Sequence, residues 1–232
     1  MKPFGLDHFG AVAVVVMAIV ALVAWGRTVS SRSRERVGRV IGVLLVVHFA
    51  VDTGMRAAML HYPWKELLPL HLCGALVFIG CGAFWSTNIW LRDAFCFWTF
   101  GATLHSLITP TSPAPFPDVR YLSYFSGHGL LVVAAAYLVL VMGHGTTWRS
   151  AARAFIALNA FTTVVAPLNL LLDTNFLYLR SKPPSPTLFD VLGPWPAYIL
   201  SLEVVAVGSF ALWTGVFRLT GRAASTLDAS ER

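Results

Sequence analysis

The chain has 232 residues, of which 56% are hydrophobic and only 12% are charged. Soluble domains carry roughly twice that charged fraction, so the composition excludes an ordinary water-soluble fold. The net charge is +6, but the basic residues lie in short segments without interleaved aromatic side chains, which predicts a role in membrane topology and no nucleic-acid partner.

Apolar runs of about 20 residues recur along the chain, and each is long enough to cross a bilayer core of about 30 Å. They predict an all-α, polytopic membrane bundle of seven helices within one domain, residues 1–220. The remaining residues, 221–232, are predicted to form a disordered cytoplasmic tail. The predicted spans, in chain order, are residues 8–26, 38–60, 67–85, 89–109, 121–142, 150–172 and 195–218.

Lys and Arg are divided unequally between the two sides of this bundle. Eleven of the 17 fall on the side that holds the first, third and fifth loops and the C-terminus, and the run RTVSSRSRERVGR dominates. The positive-inside rule then predicts an outside N-terminus and a cytoplasmic C-terminus. We expect a multi-pass protein of the plasma (cytoplasmic) membrane whose partners are membrane lipids, and the sequence leaves the oligomeric state undefined.

Three cysteines, Cys73, Cys81 and Cys96, lie inside predicted spans and form neither a disulfide framework nor a CxxC pair. A zinc site built from Cys73 and three histidines would draw its ligands from three helices without a recognisable spacing motif. We therefore predict no metal and no cofactor. Cys81 and Cys96 are interpreted as packing residues.

Polar side chains from several spans are predicted to meet at the outer end of the bundle, because successive spans alternate in direction. Ionisable groups inside spans are functional candidates, since isolated burial costs several kcal/mol. Each alone is also compatible with bonding to headgroups or helix ends. The set comprises Asp7, His8, His71, Cys73, His105, Tyr121, Tyr124, His128, Asn169, Asp173, Asn175 and Glu203.

The second span carries His48, Asp52 and Arg56 at intervals of four residues, in VVHFAVDTGMR. This spacing places the three side chains along one helix face. Two interpretations stay open, a proton relay and a structural ion-pair ladder, because a buried carboxylate needs a partner to be tolerated.

The stretch LPLHLCGAL, residues 67–75, combines a predicted helix start with a nucleophile. Pro69 is tolerated in a first helical turn, and the positive end of the helix favours the thiolate of Cys73. His71 lies about 200° away around the helix, so the two residues cannot form a local pair. A base for Cys73 would come from another helix, with His128 and His105 as the candidates.

Six blocks occur along the chain in the order FGLDHFG, LPLHLCG, FWTFGATLHSLITP, FPDVRYLSYFSGHGLLV, LNLLLDTNFLYLRSKP and LGPWPAY. Together they resemble the YwaF-like integral membrane family. That family is related to a vertebrate phospholipid acyltransferase that moves a polyunsaturated acyl chain onto ether lysophospholipids, with a cysteine acyl intermediate and a histidine. It is more distantly similar to membrane fatty-acid-ester hydrolases that use a threonine and a histidine.

The resemblance implies catalytic roles within LHLCG, TLHSLITP and SGHG, and substrate-binding roles within LNLLLDTNFLY. Members of the family often have an aspartate after LHLC, where this chain has Gly74. The residues marked in this way are His71, Cys73, His105, His128, Asn169, Asn175 and Tyr178, and Tyr124 joins them as a substrate-binding candidate from its predicted place at the outer end.

The first functional hypothesis is a phospholipid acyltransferase or lipid-ester hydrolase working in the outer-leaflet headgroup region. Cys73 would attack the ester carbonyl, with His128 as general base and later acid. His105, Asn169 or Asn175 would donate hydrogen bonds to the oxyanion. Thr103 and Thr109 are the alternative nucleophiles.

The second hypothesis is a non-enzymatic small transporter or lipid-binding membrane protein. A transporter needs polar groups that continue across the midplane, whereas the enzyme needs Cys73 or a hydroxyl within reach of a histidine. The arrangement of these side chains therefore separates the two hypotheses.

The charge distribution predicts that a fluorescent protein fused to the C-terminus matures in the cytoplasm of a bacterial host, whereas a C-terminal alkaline phosphatase fusion is inactive there. If the phosphatase fusion is active and the fluorescent fusion is dim, the predicted orientation is wrong.

Overall fold

The computed structural model describes residues 5–110, 114–183 and 188–230, and in these ranges the secondary structure is helical, without strands. The predicted all-α bundle is confirmed. The helices are α1 (Leu6–Thr28), α2 (Ser31–Met59), α3 (Leu72–Trp85), α4 (Ile89–Trp98), α5 (Leu104–Ile108), α6 (Val119–Leu140), α7 (Trp148–Leu172) and α8 (Ala197–Ser230).

Five of these helices are long and apolar enough to span a membrane: α1, α2, α6, α7 and the part of α8 over Ala197–Leu219. The predicted third and fourth spans differ from this pattern. α3 has only 14 residues, so its length of about 21 Å is less than the thickness of a bilayer core. The fourth is divided into α4, a π-helical segment and α5.

α8 continues to Ser230 and so enters the segment 221–232, part of which lies outside the described residues. The domain boundary at residue 220 and the orientation of the termini stay predictions.

The start of α3 differs from the prediction. The helix begins at Leu72, whereas the sequence predicted a start at residue 67 with Pro69 in the first turn. Residues Trp64–Leu67 form a 3₁₀ turn instead, and Leu68 is extended, with φ −65° and ψ 140°. The steric demand of a proline on the preceding residue explains this break, because it disfavours the helical conformation of Leu68.

Pro69 packs directly on the first turn of α3. A Cβ atom at Gly74 would lie 3.0 Å from the Cα of Pro69, so a larger residue would push the two segments apart. This close approach accounts for the glycine at this position.

The segment Thr99–Thr103 is a π-helix inside the predicted fourth span. Aromatic residues of α8 pack against it: the ring of Phe100 lies 4.9 Å from that of Trp213 and 5.1 Å from that of Phe217. Single π-helical turns inside α-helices occur frequently at functional sites. Here the turn ends in Thr103, whose side chain is fully buried.

α6 is the central helix of the bundle, because it packs against α1, α2, α3, α4 and α5. Small residues make this possible: Ala134, Ala135 and Ala136 are almost completely buried, and Gly129 lies against Val15 of α1. Small side chains let helix backbones approach closely where packing, and not exclusion of water, drives association.

A buried charge cluster holds α4, α7 and the loop after α6 together, at the end of the bundle where α4 and α7 begin. The carboxylate of Asp93 is completely buried and lies 2.9 Å from Nε2 of His144 and 2.6 Å from Nε of Arg153. Removing one member of a buried pair leaves an uncompensated charge, which is strongly destabilising.

We expect Asp93→Asn to lower the free energy of unfolding by about 2–3 kcal/mol, less than for a fully buried pair because Arg153 is partly exposed. Thermal unfolding in detergent measures this. The control is Asp173→Asn, which removes an exposed ion pair with Arg180 and should leave the melting temperature unchanged. Equal melting temperatures for the two variants would contradict a stabilising role of the buried Asp93 cluster.

Candidate functional site

Cys73 lies in the first turn of α3, half-buried, and two polar side chains from other helices reach its thiol. The sulfur is 3.5 Å from Oγ1 of Thr103, at the end of the π-helical segment. It also forms a side-chain hydrogen bond with the imidazole of His128, on α6. A cysteine, a histidine and a threonine from three helical segments thus meet at one point.

The ring of His128 is fixed by its own helix. Its Nδ1 lies 2.7 Å from the carbonyl oxygen of Tyr124, one turn earlier. A carbonyl only accepts hydrogen bonds, so Nδ1 carries the proton, and Nε2 of the neutral ring is the acceptor available to the thiol. Tyr124 supports the ring further, since the two ring centroids are 4.3 Å apart and its hydroxyl donates to the Ser106 carbonyl at 2.8 Å.

His71 does not share this arrangement. It is the residue before α3, and its exposed ring contacts Phe176 and Tyr178, with centroid distances of 5.0 and 5.7 Å. His71 and Cys73 therefore have different neighbours, which agrees with the predicted separation of the two side chains.

Tyr178 lies over this end of the bundle and interacts electrostatically with Cys73 and Tyr124. Burial raises the pKa of its phenol, and negative charge on Cys73 or Tyr124 acts in the same direction. The hydroxyl therefore stays protonated at neutral pH and is available as a hydrogen-bond donor.

His105 and Thr109 are both exposed on or next to α5. The hydroxyl of Thr109 donates to the carbonyl of His105 at 3.0 Å, and none of the contacts within the described ranges joins the His105 ring to Cys73. Of the two predicted bases, His128 is therefore the one that contacts the thiol. Of the two predicted hydroxyls, Thr103 is the one that approaches it.

The amide of Asn169 organises the loop after α7. It is completely buried; its Nδ2 donates to the Phe176 carbonyl at 2.9 Å, and its Oδ1 accepts from the Phe176 N–H at 2.7 Å and the Thr174 hydroxyl at 3.0 Å. The sequence predicted substrate contact or oxyanion stabilisation, but here the amide is committed to the loop backbone.

Asn175 is engaged in a similar way. Its Nδ2 donates to the carbonyl and hydroxyl oxygens of Ser181, both at 2.8 Å, and its Oδ1 accepts from the Arg180 N–H at 2.9 Å. Both asparagines therefore act by shaping the segment that carries Tyr178.

The same loop is tied to the end of α7. Asp173 adopts a left-handed conformation with φ 50°, and its carboxylate lies 2.8 Å from Nη1 of Arg180. The hydrogen bond and charge of Arg180, and then the charge of Lys65, lower the pKa of Asp173. The ammonium of Lys65 also donates to the carbonyls of Leu172 and Asp173, both at 3.1 Å, so the segment before α3 is joined to this loop.

The His48–Asp52–Arg56 stripe pairs with serines of α6. Asp52 lies 2.9 Å from Nε of Arg56 and accepts a hydrogen bond from Ser123. His48 Nε2 is 2.7 Å from the hydroxyl of Ser126. This geometry is that of the ion-pair ladder, one of the two interpretations left open by the spacing, and it joins α2 to α6 beside the site.

The remaining polar candidates have structural partners. His8 is buried and Nε2 donates to the Leu107 carbonyl at 2.6 Å, and Tyr121 donates to the Asp7 carbonyl at 2.5 Å. Glu203 accepts from Asn159 at 3.1 Å, between α8 and α7. Asp7, His8 and Tyr121 thus join α1 to the ends of α5 and α6.

Sequence reasoning named Thr103 only as a substitute nucleophile and did not detect the π-helical turn that brings it to Cys73. The run TFGAT contains one hint, Gly101, because a Cβ atom there would lie 2.9 Å from the ring of Phe210. Within the described ranges, groups of three or more His, Cys, Asp or Glu side chains suited to a metal ion are absent.

Asn169→Leu is expected to release the loop, because the Phe176 backbone groups lose hydrogen bonds worth about 1–3 kcal/mol each. Trypsin should then cleave after Arg180 about tenfold faster or more. Timed proteolysis followed by peptide mass spectrometry measures the rate. Asn159→Leu makes the same change elsewhere on α7 and is expected to leave the rate as in the wild type. Equal rates in both variants would show that Asn169 does not hold the loop.

Comparison with known proteins assigns the chain to a family. A search of curated proteins and a search of solved structures returned no significant match. The model of the TMEM164 family matches residues 3–214, which include every helix that contributes to the Cys73 site. The chain therefore belongs to the TMEM164 family, a family of membrane proteins.

Proposed function

We propose that this protein is a membrane phospholipid acyltransferase or lipid-ester hydrolase in which Cys73 is the nucleophile and His128 the general base. The observation that carries the proposal is the hydrogen bond between the Cys73 thiol and the His128 imidazole. A nucleophile bonded to a base that is itself oriented by a third group is the recurring arrangement of covalent catalysis. Here the third group is the Tyr124 carbonyl.

In the first half-reaction, the thiol proton of Cys73 moves to Nε2 of His128 as the sulfur bonds to the acyl carbonyl carbon. The ester C–O bond then breaks, and the imidazolium returns the proton to the leaving alkoxide. The products are a thioester on Cys73 and a lysophospholipid. The Nδ1–H bond to Tyr124 stabilises the imidazolium throughout, because the carbonyl dipole faces the charge.

The oxyanion has donors at the start of α3. The first N–H groups of an α-helix have no intrahelical acceptor, and the side chain of His71 does not cap this end. The N–H groups of Leu72, Cys73 and Gly74 are therefore free to donate in the helical turn that carries the nucleophile. Such donors are worth about 10²–10³ in rate when they are preorganised. Thr103 and Tyr178 are further donors, in place of the two committed asparagines.

In the second half-reaction, an acceptor hydroxyl gives its proton to His128 and attacks the thioester, and the S–C bond breaks to restore the thiol. A lysophospholipid acceptor makes the reaction a transfer, and water makes it a hydrolysis. The resemblance to the YwaF-like family and its acyltransferase relative supports the transfer. The predicted orientation puts this chemistry in the outer-leaflet headgroup region of the plasma membrane.

Incubation of the purified protein with mixed bacterial phospholipids is expected to give an acyl adduct on Cys73, seen by intact mass spectrometry and removed by neutral hydroxylamine. Cys73→Ala is expected to abolish the adduct and lipid turnover. His128→Ala is expected to slow turnover by about 10²–10⁴, the usual contribution of a general base.

Cys81→Ala is the matched control, since Cys81 lies on the same helix and is also half-buried. It is expected to keep both adduct and turnover. Turnover that persists in Cys73→Ala would remove the thiol from the mechanism and leave Thr103 or water as the nucleophile. No turnover with any lipid in the wild type would contradict the enzyme and favour the transporter or lipid-binding hypothesis.

A further inference from the structure

A polar cavity lies at the opposite end of α3 from Cys73. It has a volume of about 340 Å³ and opens between the start of α2 and the turn that joins α3 to α4. Because a helix rises 1.5 Å per residue, Trp85 at its edge lies about 18 Å along α3 from Cys73. The cavity therefore cannot belong to the site already described.

The lining of this cavity is strongly basic. Three arginines, Arg34, Arg39 and Arg92, line it together with a single carboxylate, Glu35. None of the ion pairs found in the described ranges involves these three arginines, so their positive charge is available to a ligand. The hydroxyls of Ser31 and Ser86 add further hydrogen-bonding groups to the same wall.

Arg34 has an unmet hydrogen-bonding requirement. Its Nε is shielded from solvent and lacks a hydrogen-bond partner among the described residues. A shielded donor without an acceptor carries the cost of its lost hydration. An anion in the cavity would supply that acceptor, and the planar guanidinium fork matches the oxygens of a phosphate.

The other two arginines are held in place without being neutralised. The guanidinium of Arg39 lies over the ring of Trp85, 5.9 Å from its centroid. Arg92 donates from Nε to the Ala83 carbonyl at 3.1 Å and from Nη2 to the Ser86 carbonyl at 3.0 Å. A ligand would therefore meet two fixed cations, which reduces the entropy lost on binding.

The apolar part of the wall points to the source of the anion. Phe84, Val141 and Met142 also line the cavity, next to the basic side chains. Free phosphate makes no favourable contact with an apolar wall, whereas the glycerol and upper acyl carbons of a phospholipid would pack on it. Basic pockets between membrane helices bind anionic headgroups in this way.

We propose that this cavity binds the phosphate of an anionic phospholipid in the leaflet opposite the Cys73 site. The phosphate lies between Arg34, Arg39 and Arg92, and its oxygens accept from the Nε of Arg34. The lipid is a bound ligand that joins the start of α2 to the α3–α4 turn, and it is not a substrate.

Titration of the detergent-solubilised full chain with phosphatidylglycerol, followed by native mass spectrometry, tests the proposal. Saturable binding of one lipid is expected, with phosphatidylcholine and glycerol phosphate binding much more weakly. Arg34→Gln/Arg39→Gln is expected to weaken phosphatidylglycerol binding about tenfold or more, because charge-assisted hydrogen bonds are lost. Arg27→Gln/Arg149→Gln removes the same charge from exposed positions at the same end of the bundle, outside the cavity, and should bind as the wild type.

Equal weakening in the two double variants would overturn the proposal in favour of a diffuse basic surface. Equally tight binding of glycerol phosphate would assign the cavity to a soluble phosphate ester and overturn the lipid assignment. A photoreactive phosphatidylglycerol with the label in its headgroup gives a readout that needs no variant. Adducts are expected in residues 31–39 and 85–92, and adducts confined to other segments would contradict the site.

Discussion

Every polar group that a membrane helix places in an apolar environment must find a partner inside the protein, and α6 is where several of these partners meet. Its serines pair with the His48–Asp52–Arg56 stripe of α2, and Tyr124 binds the carbonyl of Ser106. Because unsatisfied polar groups are costly in hydrocarbon, these contacts fix the rotation of α6 about its axis. The direction in which His128 points follows from that rotation.

The same constraint separates the residues with chemical roles from those with structural ones. Asn169, Asn175 and His8 have donors and acceptors satisfied by loop or helix-end backbone, which makes them supports. Cys73, Thr103 and His128 instead meet one another through their side chains. The two ends of α3 then differ in chemistry: a thiol and an imidazole lie at its start, and a cluster of arginines lies beyond its end.

The fold class and the approximate position of each helix were predictable from hydrophobic run lengths, because those lengths follow from bilayer thickness. The exclusion of a His71–Cys73 pair followed from helix geometry, whereas Cys73 was chosen from its place near a predicted helix start and from the family resemblance. The start of α3 was not predicted correctly. The apolar run suggested a helix from residue 67, but Pro69 disfavours the helical conformation of Leu68, and the helix begins only at Leu72. The π-helical turn at Thr99–Thr103 depends on packing against α8, which no local pattern encodes. The asparagines were assigned to substrate from the family resemblance. Their partners were not predictable, because they lie in a non-helical loop whose course the sequence does not define.

The hydrogen bond from His128 to the Tyr124 carbonyl links positions i and i−4 of one helix. A contact within one helical turn thus determines which imidazole nitrogen carries the proton, and this choice does not depend on contacts with other helices. If higher temperature or a thinner bilayer loosens the packing of α3 on α6, the distance between the Cys73 sulfur and the His128 imidazole increases while the tautomer of His128 stays the same. Loss of activity under such conditions would then be a matter of distance, reversible when the helices repack, and not a loss of the basic form of the ring.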